Sequence, residues 1–223
     1  MLDHEVECFV NALGIHETGL TCWDLIAGPP PAGELARADA VLIGGSGDFS
    51  VVRGGTWLEP ALDTMRGLHD RSVPTFASCW GFQALAKALG GDVVTDHSRA
   101  EIGAVELTLT EAGRRDPLFG AIGDSFPVLI GHEDIVESLP PGAVLLGSTA
   151  TVVNQAFRFP GRPIYATQFH PELDRAGIVK RISQYAETYL PLTRTATIEE
   201  FRDSLPDVRG AASLLRRFRE KLL

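Results

Sequence analysis

The stretch TFASCWGFQALAKALGG, from Thr75 to Gly91, places one cysteine between a short β-type run and a strongly helical run. Apolar residues of the helical run recur at spacings of three and four, as they do along one face of a helix. They are Phe82, Leu85, Ala86 and Leu89. The two glycines after them close the predicted helix. A strand that passes through a tight turn into a helix is typical of α/β folds, with Cys79 at the turn.

Helix and strand signals alternate upstream of this stretch. Helices are predicted from Asp3 to Leu13 and around Leu58 to Leu68, where apolar residues again follow helical spacing. The runs LTCWDLI (20–26) and ADAVLIGG (38–45) are typical of strands, and the second ends in glycines. This alternation indicates an α/β sheet.

From Glu101 to His170 the pattern is mostly β. The predicted strands are IGAVELTLT (102–110), FPVLIGH (126–132), AVLLGS (143–148), VVNQAFRF (152–159) and PIYATQFH (163–170). A helix bearing Ile178, Ile182, Tyr185 and Tyr189 should follow.

The run YLPLTR (189–194) marks a break before a helical tail. Thr197 followed by Glu200 is the pattern of a capping box, and AASLLRRFREKLL (211–223) is amphipathic. We therefore predict one domain over residues 1–190 and a helical extension over residues 191–223. The extension would serve for packing or for formation of a homodimer.

Composition excludes several classes of function. The 223 residues carry a formal net charge of −9, which argues against binding to nucleic acid or to an anionic membrane surface. The sequence has neither a run long and apolar enough for a membrane span nor the features of a signal peptide, so a cytoplasmic location is expected. The three cysteines lack the spacing of a zinc site or a disulfide framework, and we expect no metal and no cofactor.

Cys79 has two interpretations at this point. A turn before a helix exposes a side chain near the positive end of the helix, which would activate a thiol, and Ala77 and Gly81 are small enough for such a turn. Free cysteines are also among the residues most often buried as simple apolar groups. For Cys8 and Cys22 the inert interpretation is favoured, because neither lies at such a turn.

The segment QFHPE supplies a candidate base. His170 precedes a proline and should be extended, so the side chain of Glu172, two residues on, would point the same way and could orient the imidazole. This pairing favours a catalytic role for Cys79. The other histidines, His4, His16, His69 and His97, are expected at the surface.

A third segment, IGGSGDFS (43–50), contains Gly44, Gly45 and Gly47 directly after a predicted strand. Glycines there let backbone N–H groups approach a ligand closely. The segment lacks the patterns of a dinucleotide-binding loop or a Walker loop.

Together, GGSGDFS, SCWGFQALAKALGG, EIGAVELTLT, GHEDIVESLP, NQAFRF and IYATQFHPE resemble the class I, or triad, glutamine amidotransferases. The resemblance is nearest to the glutaminase domain of GMP synthetase and its free-standing relatives, and it covers about residues 38–190. It implies an open, mainly parallel sheet flanked by helices, and hydrolysis of the glutamine side-chain amide through a Cys-His-Glu triad and a thioester.

The resemblance also implies site residues. Cys79 would be the nucleophile, His170 the base and Glu172 the residue that orients the base. Backbone N–H groups of Gly45 and Trp80 would form the oxyanion hole. The expected substrate-binding residues are Gly44, Gln83, Glu101, His132, Glu133 and Asp134.

The sequence departs from the family pattern in several places. Ala77 stands where glycine is usual, Ser46 and Gly47 stand where proline is usual, and Glu133 lies where a glycine is common. The family also begins with a strand before its first helix, for which Met1 and Leu2 leave no room. We therefore expect either a shortened start or a sheet that lacks this strand.

The resemblance leaves three functions open. The first is a glutaminase that passes ammonia to a separate synthase subunit. The second is a stand-alone hydrolase of γ-glutamyl amides or peptides, which would need an open pocket beyond Cys79. The third is a binding protein without catalytic activity, since fold does not imply function.

Overall fold

The computed structural model describes residues 2–184, 186–193 and 195–223. Its strands are β1 (Val41–Ile43), β2 (Thr75–Ser78), β3 (Asp92–Thr95), β4 (Glu101–Leu109), β5 (Ser125–His132), β6 (Asp134–Ser138), β7 (Val144–Ser148), β8 (Ala156–Arg158) and β9 (Ile164–Thr167). Its helices are α1 (Leu2–Leu13), α2 (Ala32–Arg37), α3 (Leu58–Asp70), α4 (Trp80–Ala88), α5 (Glu111–Arg115), α6 (Arg175–Gln184), α7 (Ala186–Tyr189), α8 (Ile198–Ser204) and α9 (Arg209–Leu222).

The main sheet has the strand order β1-β2-β9-β8-β7-β4-β5, and β3 pairs with β6 in a separate ribbon. β1, β2 and β9 are parallel neighbours, and the four remaining pairings are antiparallel. As a result β1, β2, β9, β7 and β5 run in one direction, while β8 and β4 run in the other. The predicted open α/β sheet flanked by helices is confirmed, and its parallel part brings the ends of β1, β2 and β9 side by side.

Alternating side chains on the central strands supply two cores. Phe76 and Tyr165 face a cluster that includes residues of α1 and α9, whereas Ala77, Ile164 and Ala166 face a cluster built on α3 and α4. This is the period of two expected for a strand that is buried on both faces. The sheet therefore lies between two helical layers.

The tail packs on this sheet. Thr197 caps α8 by accepting a hydrogen bond from the backbone N–H of Glu200 (3.1 Å), as its sequence predicts. The apolar face of α9 is buried against the sheet and α1 through Ala211, Leu214, Leu215 and Phe218. That face is used within the chain, so it is not left for a homodimer. The division at residue 190 stays a prediction.

LTCWDLI is not a strand: its residues form a loop and turn, and Trp23 is 49% exposed. β1 is the edge strand of the sheet, and no strand among the described residues pairs with this run. The run therefore has no neighbouring strand with which to form backbone hydrogen bonds. Tyr185, predicted on the helix after His170, lies outside the described residues, as do Met1 and Arg194.

Within residues 2–184, 186–193 and 195–223, no helix combines the length and apolar character needed to span a membrane.

The packing of α9 can be tested at Phe218. Its ring is fully buried and makes an edge contact with Phe76 at 5.6 Å between ring centres. We expect Phe218→Ala to lower the free energy of unfolding by ~3–5 kcal/mol, because it leaves a cavity in the core. Chemical denaturation followed by circular dichroism measures the change, and Leu223→Ala, at a 55% exposed position, is the control. Equal stability of the two variants would contradict the proposed role of α9 in the core.

Candidate active site

Cys79 lies in the turn between β2 and α4. Its backbone has φ 51° and ψ −104°, in the left-handed region that non-glycine residues rarely occupy. Such a conformation costs about 1–3 kcal/mol and persists only where the surroundings hold it. Here the backbone N–H of Cys79 donates to the carbonyl of Thr167 at the end of β9 (2.8 Å), and its carbonyl accepts from the N–H of Gln83 (3.2 Å).

The turn also depends on close approach to β1. The N–H of Gly81 donates to the carbonyl of Gly44 (3.2 Å), and a Cβ at Gly81 would lie 2.7 Å from the carbonyl oxygen of Ile43. No rotamer change can relieve a clash with backbone, so the position requires glycine. Ala77, two residues before the thiol, is fully buried within the core.

His170 and Glu172 form a buried ion pair beside the thiol. The Nδ1 of His170 lies 2.6 Å from Oε1 of Glu172, and both residues are buried. The backbone N–H of His170 donates to the carbonyl of Leu129 (2.8 Å), which fixes the segment against β5. With Nδ1–H donated to the carboxylate, Nε2 is free to face the thiol and act as a base.

The charges of this pair shift both pKa values. Burial alone would lower the pKa of His170, but the carboxylate of Glu172 and the hydrogen-bonded Cys79 outweigh it and raise the pKa above its ordinary value. Burial would raise the pKa of Glu172, but His170 and the guanidinium of Arg181 outweigh it and lower the pKa. Glu172 is therefore a carboxylate that supports a protonated imidazole.

At Gly45 the glycine segment (43–50) lies against both Cys79 and His170. A Cβ on Gly45 would lie 2.8 Å from Cε1 of His170 and 3.6 Å from Sγ of Cys79. The thiol also lies 3.7 Å from the carbonyl oxygen of Gly131. Trp80 is the first residue of α4, where backbone N–H groups have no acceptor within the helix. Gly45 and Trp80 thus flank the thiol, and their role as an oxyanion hole stays a prediction.

Next to the thiol lies a buried polar network that contains most of the predicted substrate-binding residues. Nε2 of His132 lies 3.3 Å from Oε2 of Glu101, and its Nδ1 lies 3.1 Å from the carbonyl oxygen of Asp134. The side-chain amide of Gln83 donates to that same carbonyl (2.9 Å). The carboxylate of Asp134 accepts from Ser50, so its side chain holds the wall in place.

Glu133 is the predicted site residue that this network does not include. Its side chain is 46% exposed, and its Oε2 lies 3.8 Å from Nδ1 of His97 at the surface. Glu133 occupies the bend between β5 and β6, and its neighbours His132 and Asp134 are buried. Gly44 lies at the glycine segment, where a Cβ would meet Oε1 of Glu5 at 2.6 Å.

Four further residues belong to the site and were not assigned a role from the sequence. Gln155 donates to Glu101, and Gln168 accepts from Gln83 at 3.2 Å. Both are fully buried glutamines within predicted β runs, and a polar side chain that must find a partner in the core is the signal that the sequence offered. Arg181 and Glu5 also reach the site, and no local pattern marks them.

Among the histidines outside the site, His16 and His97 are exposed as predicted, whereas His69 is only partly exposed, with its ring centre 4.7 Å from that of Phe159. Cys8 is buried, and burial raises the pKa of its thiol to about 11, so it is inert at neutral pH. His4, expected at the surface, is buried instead, with Nε2 3.4 Å from the carbonyl oxygen of Gly177. It shares the inner face of α1 with Cys8, one turn away, and α6 covers both. Within the described part of the chain, no three His, Cys, Asp or Glu residues are grouped as a metal site would need.

Comparison with known proteins gives one family. The sequence matches the model for "Glutamine amidotransferase class-I" over residues 30–177, a span that contains Cys79, His170 and Glu172. A GMP synthase [glutamine-hydrolyzing] from Flavobacterium psychrophilum is 30% identical over 183 residues, covering 78% of this chain and 34% of that protein. The chain spans about a fifth to a third of the length of the curated relatives it matches.

Solved structures share the fold. A glutamine amido transferase from Methylobacillus flagellatus superposes with a TM-score of 0.75 at 22% identity, covering 98% of this chain and 90% of that one. A glutamine amidotransferase from Thermotoga maritima gives a TM-score of 0.72 at 21% identity, covering 89% and 84%.

The site geometry predicts selective reactivity of Cys79. At neutral pH we expect iodoacetamide to modify Cys79 before Cys22, although Cys22 is exposed, because the imidazole of His170 lies beside Cys79. His170→Ala should slow modification of Cys79 by about tenfold or more and leave Cys22 unchanged. Peptide mass spectrometry over a time course measures both rates in one sample. Faster labelling of Cys22 in the unaltered protein would contradict activation of Cys79.

Proposed function

Because the chain belongs to the class I glutamine amidotransferase family, we propose that it hydrolyses the side-chain amide of glutamine through a thioester on Cys79 and releases ammonia. The observation that carries this proposal is the convergence of three chain segments on one thiol. Cys79 follows β2, Gly45 follows β1, and His170 follows β9 with Glu172 bonded behind it. This convergence of a thiol, an imidazole and a carboxylate supports acyl transfer with Cys79 as nucleophile, His170 as base and Glu172 as orienting group.

The first half of the reaction forms the thioester. His170 takes the thiol proton, and the sulfur attacks the amide carbon of glutamine, placing negative charge on the carbonyl oxygen. Backbone N–H groups of Gly45 and Trp80 stabilise that charge. When the tetrahedral intermediate collapses, the C–N bond breaks and His170 returns the proton to the leaving ammonia.

The second half releases glutamate. His170 accepts a proton from water, and the hydroxide attacks the thioester carbon. The C–S bond then breaks, the thiol recovers its proton from His170, and the product leaves as a free carboxylic acid. Glu172 remains ionised throughout and stabilises each imidazolium as it forms.

The polar network positions the substrate in this scheme. We assign the amino-acid end of glutamine to the wall formed by Gln83, Glu101, His132 and the backbone around Asp134. These groups are buried and bonded to one another, so little side-chain freedom is lost when substrate binds. The outward-facing carboxylate of Glu133 plays no part in this assignment.

The use of the ammonia lies outside this span of chain. The curated relatives are GMP synthases, and this chain matches about a third or less of their length. We propose that a separate synthase subunit receives the ammonia.

A second function is favoured by the shape of the site. The hollow that contains Cys79 continues past Gly45 along the edge strand β1 as far as residues 19–26 and α9, about 2170 Å³ in all, so the active-site cleft is only part of it. This continuous space beyond Cys79 favours access of a γ-glutamyl peptide. On this alternative the same thioester chemistry releases an amine or a peptide in place of ammonia.

Removal of the nucleophile tests the chemistry. We expect Cys79→Ala to abolish ammonia release from glutamine and His170→Ala to lower it by ~10²–10⁴-fold. Glu172→Ala should cause a smaller loss, because an orienting residue contributes less than the nucleophile. A coupled glutamate and ammonia assay measures all three, and Cys22→Ala, the matched exposed cysteine, should retain activity. Unchanged turnover in Cys79→Ala would end the proposal.

Competition separates the two substrates. A diazoketone analogue of glutamine should label Cys79, and we expect free glutamine to protect the thiol at lower concentration than γ-glutamyl dipeptides do. Mass spectrometry of the Cys79 peptide gives the protected fraction. Protection by dipeptides alone would favour the peptide hydrolase. Absence of labelling under all conditions would contradict both activities in the isolated chain and favour a binding protein.

A further inference from the structure

Arg181 lies behind the His170–Glu172 pair, on the side away from the thiol. It comes from α6, and its Nη1 is 3.4 Å from Nδ1 of His170 while its Nη2 is 3.9 Å from Oε1 of Glu172. Its side chain is 16% exposed. Nδ1–H of His170 is already donated to Glu172, so Arg181 cannot donate to that nitrogen. The contact with His170 is therefore electrostatic, between a permanent cation and a group that gains positive charge during the reaction.

Glu5 of α1 partly neutralises this cation. Its Oε2 accepts a hydrogen bond from Nη2 of Arg181 at 2.7 Å, and its side chain is 23% exposed. One guanidinium thus lies between two carboxylates, Glu5 and Glu172, which belong to segments 167 positions apart in the sequence. The charge that His170 experiences from behind is the balance of Arg181 against Glu5.

Hydrogen bonding alone does not explain this arrangement. Oε2 of Glu172, Nε of Arg181 and Oε1 of Glu5 are all buried, and none has a hydrogen-bond partner among the described residues. A buried polar atom without a hydrogen-bond partner lowers the stability of the fold unless an opposite charge compensates it. The three side chains compensate one another by charge, and that field acts directly on His170.

We propose that Arg181 and Glu5 are positioning residues that set how readily His170 takes up and releases its proton, with Arg181 also keeping Glu172 ionised. This inference builds on the proposed role of His170 as the base. It makes α1, which contributes no atom to the reaction, part of the control of the site.

The other titratable groups around His170 do not reverse this balance. Cys79 faces it from the turn before α4, and Glu172 faces it from its own segment. Cys8 of α1 is neutral at neutral pH, since burial raises the pKa of its thiol to about 11. His4 lies beyond Cys8, at 3.8 Å from its sulfur, and Asp174 is exposed. Arg181 and Glu5 are therefore the charged side chains whose removal should be felt most strongly.

Substitutions of Arg181 and of Glu5 should move the apparent pKa values of the Cys79–His170 pair in opposite directions. Removing the cation in Arg181→Gln favours the imidazolium and disfavours the thiolate, so both apparent pKa values of the Cys79–His170 pair should rise. Removing the anion in Glu5→Gln leaves Arg181 uncompensated, so both should fall. We expect a displacement of about one pH unit for Arg181→Gln, whose guanidinium lies 3.4 Å from His170, and a smaller one for Glu5→Gln, which contacts Arg181. Arg181→Lys retains the charge and should keep the position of the unaltered protein.

The test measures the pH dependence of iodoacetamide modification at Cys79, read by mass spectrometry, and of kcat/KM for glutamine. Lys180→Gln removes an exposed charge from the same helix, and Glu7→Gln removes one that is 63% exposed from α1. Both control variants should have the same pH profiles as the unaltered protein, because solvent and salt screen exposed charges. A merely structural role of Arg181 and Glu5 would lower reactivity without moving the two profiles in opposite directions.

The outcomes separate this inference from the proposed function. Opposite displacements in Arg181→Gln and Glu5→Gln, with Arg181→Lys unmoved, support the inference, and the modification profile shows this even if the chain does not hydrolyse glutamine. Glutamine hydrolysis with displacements that are absent, or of the same sign in both variants, overturns the inference and leaves the function standing. If Arg181→Gln does not fold, Glu5→Gln alone decides by moving its profile to lower pH or failing to do so.

Discussion

The left-handed backbone at Cys79 is held from two sides by the neighbouring parallel strands. The end of β9 accepts its N–H through Thr167, and the end of β1 packs against Gly81 so closely that no side chain fits between them. The strained residue therefore exists only if β1, β2 and β9 are adjacent and in register. Those same strand ends carry Gly45 and lead to His170, so the constraint that places the thiol also brings its partners to it. Ligand sites commonly form at the carboxyl ends of parallel strands for this reason.

Much of this arrangement could be predicted from the sequence. The strand, turn and helix around Cys79 have strong local signals, and extended backbone at HPE places His170 and Glu172 on one side of the chain. LTCWDLI shows the limit of such signals, since a strand needs a partner and local pattern cannot supply one. His4 shows the same limit for burial, because α6 covers it from 173 positions away. Arg181 and Glu5 carry no local signal at all. Their pairing depends on how α1 packs against α6, which only the assembled tertiary structure defines.

The charged groups behind the thiol form one system. His170, Glu172, Arg181 and Glu5 are linked by successive contacts behind Cys79, and charge alternates from the imidazolium to Glu5. In a medium of low dielectric constant, a change at any member is transmitted more strongly than it would be in water. Removing one member of a buried ion pair usually lowers the stability by more than the pair contributes, because the charge of the other member stays buried without compensation.

Gly45 has a consequence for how this site can change over evolutionary time. The space that a methyl group would take there belongs to the imidazole, so a side chain at residue 45 cannot add specificity without displacing His170. The opposite wall is lined by side chains such as Gln83, Gln155 and His132, which share hydrogen-bond partners in the buried network. We therefore expect new substrate preferences to arise from coordinated substitutions on that wall and not from a side chain at residue 45.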